Sequence, residues 1–193
     1  MERMRHGLLS SLKQDLQALI QKEPGLSDFA RALLLKREFH IMLLYRLSHQ
    51  AYRFRMPWLA TLIQRINIVL FSIEISYKIE IAGGVKINHG IGTVIGDAEI
   101  HGGVVIFQNV TIGVNYPEWT HSNKKKGYPV IEENVVIFPG AVIVGPITVG
   151  KNSIIGANAV VTRDVLPGSV ISVPPATDIA KRDSQFTVTR GAL

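Results

Sequence analysis

One period governs most of this chain. Ile75, Ile81 and Ile87 stand six apart, and after a one-residue slip so do Val94, Ile100, Ile106 and Ile112. Beyond an interruption, Ile131, Ile137, Ile143, Val149, Ile155 and Val161 keep the same step without exception. Six matches neither the turn of an α-helix nor the simple alternation of a long strand. It suits a triangular prism of short parallel strands, with one aliphatic pointing inward on each face. Gly96, Gly102, Gly113, Gly145, Gly150, Asn152 and Gly156 fall between the strands. They are assigned to corners, where left-handed backbone is often required. Coils of this kind bury their aliphatics only against the coils above and below. Residues 73–176 are therefore expected to form one cooperative unit with little room inside for polar groups.

The interruption is informative. From Ile112 to Ile131 is 19 residues, and the intervening VNYPEWTHSNKKKG (114–127) holds Pro117, Trp119 and three consecutive lysines. No strand of the prism tolerates that composition, so 114–127 reads as a loop expelled from it. Loops on rigid scaffolds commonly carry function. A Trp placed in one argues for a partner.

Before residue 73 the pattern is helical. Leu8, Leu12, Leu16, Leu19 and Ile20 share one face, and Pro24–Gly25 ends that helix. Ser27 is a suitable cap for a second helix running to about His49, with Ala32, Leu35, Phe39, Met42 and Leu43 at helical spacing. A third starts near Pro57 and ends near Phe71. The chain thus divides into a helical region (1–72), the repeat (73–176) and a tail (177–193).

Of the 21 Lys/Arg and 15 Asp/Glu, 11 and 5 lie in residues 1–70, so the whole +6 charge sits in the helical region. Solvated faces account for most such charge. An anionic substrate or a peripheral contact with the inner face of a membrane comes next, and no nucleic-acid motif is present. Residues 56–75 carry Gln64, Arg65, Asn67 and Glu74, too polar for a span of roughly 20 apolar residues. No secretory leader is expected either, because Lys13, Asp15 and Gln17 interrupt the early apolar run. The absence of cysteine rules out a thiol nucleophile and a Cys-bound zinc, and it fits a cytoplasmic setting.

Three stretches carry a resemblance: KINHGIGTVIGD (86–97), FQNVTIG (107–113) and PVIEENVVIFPGAVIVGPITVGKNSIIGANAVVTRDV (129–165). Together with FHIMLLYRLSH (39–49), they resemble the hexapeptide-repeat acyltransferases, and among these the serine acetyltransferase and polysaccharide O-acetyltransferase group. The resemblance implies a mainly β fold, a left-handed parallel β-helix behind a small α-helical region. The left hand comes only from the resemblance, since generic crossover rules favour the right. It implies a homotrimer, acetyl-CoA as donor without a metal, and His89 as the catalytic histidine. The chemistry agrees. An acceptor hydroxyl needs a base as it attacks a thioester, and neutral imidazole suits that role. Without a thiol to carry the acyl group, direct transfer is simpler than a covalent relay.

The resemblance also exposes departures. The serine enzymes have a histidine where this chain has Tyr128, an aspartate where it has Asn88, and an aspartate fifteen residues before the catalytic histidine, where it has Glu74. A phenol titrating near ~10 is no base at neutral pH. These three positions point away from serine and toward a hydroxyl on a sugar or polysaccharide, with serine as the alternative. Glu74 is read as orienting the acceptor or the imidazole, and Asn88, Tyr128 and Trp119 as acceptor contacts. On the donor side the resemblance implies a pantetheine groove at Gly113, Pro139 and Ala157. Lys151, Arg163, Lys181 and Arg182 are candidates for the CoA phosphates. Two other readings stand beside this one: a β-helix that has lost activity, and a metalloenzyme on the same fold. The second needs three converging histidines, and the repeat offers His89 and His101.

Overall fold

The computed structural model describes residues 7–114 and 127–174. Fourteen short strands wind through the second half of the chain. The first coil is β1 (Glu74–Ile75), β2 (Glu80–Ile81) and β3 (Lys86–Ile87), and the second is β4 (Val94–Ile95), β5 (Glu99–Ile100) and β6 (Val105–Ile106). The third is β7 (Thr111–Gly113), β8 (Val130–Ile131) and β9 (Val136–Ile137), and the fourth is β10 (Val142–Val144), β11 (Thr148–Val149) and β12 (Ile154–Ile155). Strands β13 (Val160–Val161) and β14 (Val170–Ile171) close the stack. Every strand pairs in parallel with the strand one coil away, which gives three flat faces: β1-β4-β7-β10-β13, β2-β5-β8-β11 and β3-β6-β9-β12-β14. This is a left-handed parallel β-helix.

The six-residue period is an inward register. Twelve of its thirteen aliphatics are buried. A second inward position, two residues earlier, is filled by Ile73, Ile79, Val85, Val104, Val110, Val135 and Ile147 among others. Thr93 and Ser153 are the polar residues at that position. Their hydroxyls donate to the carbonyls of Phe107 and Leu166, so neither is left unsatisfied.

Val94 departs from the expected register. It faces outward, and Ile95 takes the inward place, paired with Ile75 and Ile112. The step from Ile87 to Ile95 is eight residues and the next, to Ile100, is five. The corner holding His89 is longer than the others, and the next corner takes up part of the excess.

The corner glycines also divide differently from the sequence reading. Of those named above, only Gly145 has positive φ, as does Asn152. At Gly150 and Gly156 the reason is close approach. A Cβ would lie 2.5 Å from Pro167 N and 2.8 Å from Ile171 O, respectively.

Four helices cover the start of the prism: α1 (Leu8–Ile20), α2 (Leu26–Leu35), α3 (Arg37–Arg53) and α4 (Pro57–Phe71). The single helix expected from Ser27 to His49 is instead two. Gly25 is the cap, its N–H donating to Asp28 Oδ2 at 3.0 Å, and the chain is extended at Lys36. The break serves two cores. Phe39 joins Leu12, Leu16 and Ala32 in a small helical core, while Ile41, Met42 and Tyr45 belong to the core of the prism. Leu35, left at the break, is exposed.

A buried ion pair ties the helices to the first coil. Arg46 donates to both carboxylate oxygens of Asp15, at 3.0 and 3.1 Å, and to the carbonyls of Ile81 and Ala82. Gly84 N–H donates to the same carboxylate. Burial pushes the Asp15 carboxyl above its ordinary range, and Arg46 works against that shift.

Candidate active site

The prism has three edges. The first follows β1, β4, β7 and β10, the second follows β2, β5, β8 and β11, and the third follows β3, β6, β9 and β12. His89 stands on the third edge, two residues beyond the inward Ile87. In later coils of this edge a single residue is left-handed, namely Asn109, Gly140 and Asn158. At the lengthened corner, His89 (φ 62°) and Gly90 (φ 41°) are both left-handed, and Gly92 follows. A non-glycine residue there costs about 1–2 kcal/mol. Gly90 is buried, and a Cβ on it would lie 3.0 Å from Ile41 Cδ1, so the turn is pressed against α3. Arg37 adds a second tie, its Nη2 donating to the His89 carbonyl at 3.2 Å. The backbone is held while the side chain is exposed, and the imidazole has no hydrogen-bond partner among the described residues.

The other described histidines are occupied. His40 contacts the Leu33 carbonyl at 2.7 Å and stacks on Phe71. His49 contacts the Tyr77 carbonyl, and burial pulls its imidazole below the ordinary range. His101 lies between Glu99 and Glu133, at 3.2 and 3.4 Å. Among the described histidines, strain and freedom coincide only at His89, and backbone strain of this kind clusters at functional sites.

Several of the sequence-derived residues gather around this edge. Glu74 is exposed at the start of β1, beside Val94 in register. Pro139 and Ala157 lie on the third edge, one coil apart, linked by Asn158 N–H to the Pro139 carbonyl at 2.9 Å. Asn88 precedes His89, and its column continues into Phe107 and Phe138, whose rings stack 5.4 Å apart and nearly parallel. Gln108 follows His89 one coil on, and its buried Oε1 has no partner among the described residues. Gln108 and the two phenylalanines went unremarked in the sequence reading, although they lie in the quoted motifs.

Other residues lie elsewhere. Gly113 and Tyr128 lie on the first edge, between β7 and β8; the expelled loop expected at 114–127 falls, but for its two end residues, outside the described residues. A Cβ on Gly113 would meet nothing within 4 Å, so this chain's own packing does not demand a glycine there. Trp119 and the three lysines fall outside the described residues, as do Lys181 and Arg182. Lys151 is on the second edge, its N–H donating to Glu132. Among the described residues no group of three His, Cys, Asp or Glu could hold a metal ion.

The bacterial transferase hexapeptide (six repeats) model matches residues 128–163. A putative serine acetyltransferase of Schizosaccharomyces pombe is 32% identical over 180 residues, covering 93% of this chain and 65% of its own. The serine acetyltransferase of Helicobacter pylori is 34% identical over 171 residues, 88% of this chain and 97% of its own. A solved serine acetyltransferase in complex with CoA superposes with a TM-score of 0.72 at 29% identity, over 84% of this chain and 66% of that one. The chain spans about two thirds of the yeast relative and of the solved one. With near-complete coverage of the Helicobacter protein and the fold in common, the chain belongs to the serine acetyltransferase family of hexapeptide-repeat transferases.

Proposed function

We propose that the protein transfers the acetyl group of acetyl-CoA to the hydroxyl of L-serine, with His89 as general base. The observation that carries this reading is the free, exposed imidazole held on strained backbone in a chain of this family. Neutral His89 accepts the proton of the acceptor hydroxyl as its oxygen attacks the thioester carbonyl. The tetrahedral intermediate collapses, the C–S bond breaks, and the imidazolium returns the proton to the CoA sulfur. Glu74 orients the acceptor or the imidazole. Gly113, Pro139 and Ala157 leave room for the pantetheine arm.

Two edges contribute to this site: His89, Glu74, Asn88, Pro139 and Ala157 on or beside the third, Gly113 and Tyr128 on the first. A homotrimer with the third edge of one prism beside the first edge of the next brings the two sets together. Lys151, on the second edge, drops out of this arrangement as a phosphate ligand.

The sequence reading put a sugar hydroxyl first and serine second. Kinship with serine acetyltransferases reverses that order. The sugar reading keeps one specific support, the substitutions at Glu74, Asn88 and Tyr128. A competition assay with acetyl-CoA, L-serine and nucleotide sugars together, products identified by mass, tests the choice. O-acetylserine is the expected dominant product, and an acetylated sugar in its place transfers the function to the second reading. His89→Ala should lower turnover by roughly 10²–10⁴-fold with acetyl-CoA affinity nearly unchanged. Near-normal turnover in that variant removes His89 from the mechanism.

A further inference from the structure

Helix α4 is amphipathic the wrong way round. Its buried residues are Ala60 and Asn67, and the Asn67 amide donates to the Ile41 carbonyl at 3.2 Å. On the opposite side, within an arc of about 100°, lie Trp58, Leu62, Arg65, Ile66 and Val69. Trp58 is 68% exposed and Val69 80%. Leu62 and Ile66 are exposed as well. A surface helix normally turns its polar residues to water. A contiguous apolar stripe such as this marks a surface that is covered in use.

The charges around the stripe select what covers it. Residues 39–73 contain no Asp or Glu. Arg53, Arg55 and Arg65 are exposed and have no ion pair among the described residues. The described acids of the helical region are Asp15, Glu23, Asp28 and Glu38, and each already has a cation of its own chain within 4.0 Å. A second copy docking its helices here would bring cation against cation, with no free carboxylate from that region to meet Arg65. An anionic lipid surface satisfies both features. Trp58, Leu62, Ile66 and Val69 sink into the boundary of the acyl chains, while the arginines extend to the phosphates. No described helix is long and apolar enough to cross a bilayer, so the contact is with one face of it.

We propose that the outward stripe of α4, Trp58, Leu62, Ile66 and Val69 around Arg65, docks the protein on an anionic membrane surface. The inference is independent of the acceptor. The test is flotation of the full chain with phosphatidylcholine vesicles and with mixed phosphatidylcholine–phosphatidylglycerol vesicles, at low and high salt. The protein should float with the mixed vesicles, and high salt should release it. Each of Arg53→Gln, Arg55→Gln and Arg65→Gln should weaken partitioning roughly fivefold. The double variant Leu62→Glu/Ile66→Glu should stay with the soluble fraction while keeping wild-type melting temperature and assembly mass. His89→Ala should float as wild type does. Wild-type protein that never floats overturns the proposal, as does a double variant that still floats. A double variant whose assembly mass changes identifies the stripe as a contact between copies and overturns it too.

Discussion

In the prism, the residues that the sequence period singles out point inward, and the outward positions of the same strands are mixed. In the helices before it, the side chains facing water on α4 are more apolar than those facing the protein. The two regions differ in what decides burial. A prism coil meets a near copy of itself above and below, so one periodic pattern sets both pairing and inside-out sense. A helix meets whatever its neighbour presents, and its own period cannot say on which side that neighbour lies. The helical core is also small, Leu12, Leu16, Ala32 and Phe39. Much of its attachment to the prism is polar, through Asp15, Arg46 and Tyr45.

This contrast can be broken most severely at the tie between the regions. Arg46→Met leaves Asp15 buried without its cation and should cost about 3–5 kcal/mol in chemical denaturation. Asp15→Leu/Arg46→Met should recover most of that loss. A harmless single variant would mean the helices hold to the prism by apolar contact alone.

Within the prism, Ile137→Ala should cost about 2–5 kcal/mol, in a single unfolding transition. Leu35→Ala, at an exposed position of the same kind of sequence pattern, should change stability by less than about 0.5 kcal/mol. Equal losses would erase the distinction between the two regions.

Glycines sharpen it further. Gly140 has φ 74°, and a Cβ on it would lie 2.1 Å from Asn158 Oδ1, so Gly140→Ala should cost about 1–2 kcal/mol. Gly113→Ala should leave the melting temperature unchanged, and a rise in the Kd for acetyl-CoA would then report on the proposed groove.

The smallest effect is in the helical region. Burial depresses the His49 imidazole, so the unfolded chain takes up the proton first as pH falls. Stability from this group is present above the unfolded value and lost below about pH 6.5. His49→Gln should flatten the melting-temperature profile between about pH 6.5 and 5; an unaltered profile assigns the acid sensitivity to other groups.

Much of the prism was legible because its period repeats thirteen times against one environment. Val94 was misread because counting by sixes fits Val94 and Ile95 almost equally well. Only the lengthened backbone at His89 and Gly90 chooses between them. The break at Lys36 carries no Pro or Gly to announce it. It follows from α3 having to serve two cores. His89 is proposed because the resemblance places a histidine base there and hydroxyl attack needs one, whereas Asn88 and Glu74 rest on the resemblance alone. The Arg37 contact spans 52 residues of sequence and leaves no local trace.

The eight-residue step from Ile87 to Ile95 has a consequence for how such a protein can vary. It is a phase slip, and the five-residue step that follows cancels all but one residue of it. Everything downstream therefore runs nearly in phase with everything upstream. Beyond the loop the steps are uniform, and Ile137, Ile155 and their neighbours are interchangeable units of length. Whole coils can be gained or lost past Ala157, beyond the proposed pantetheine groove, without moving His89. A single residue gained or lost between Ile87 and Ile95 would turn Ile95 outward and disturb the corner that holds the imidazole. Length is free to drift at one end of the prism, and at the other it is locked to the chemistry.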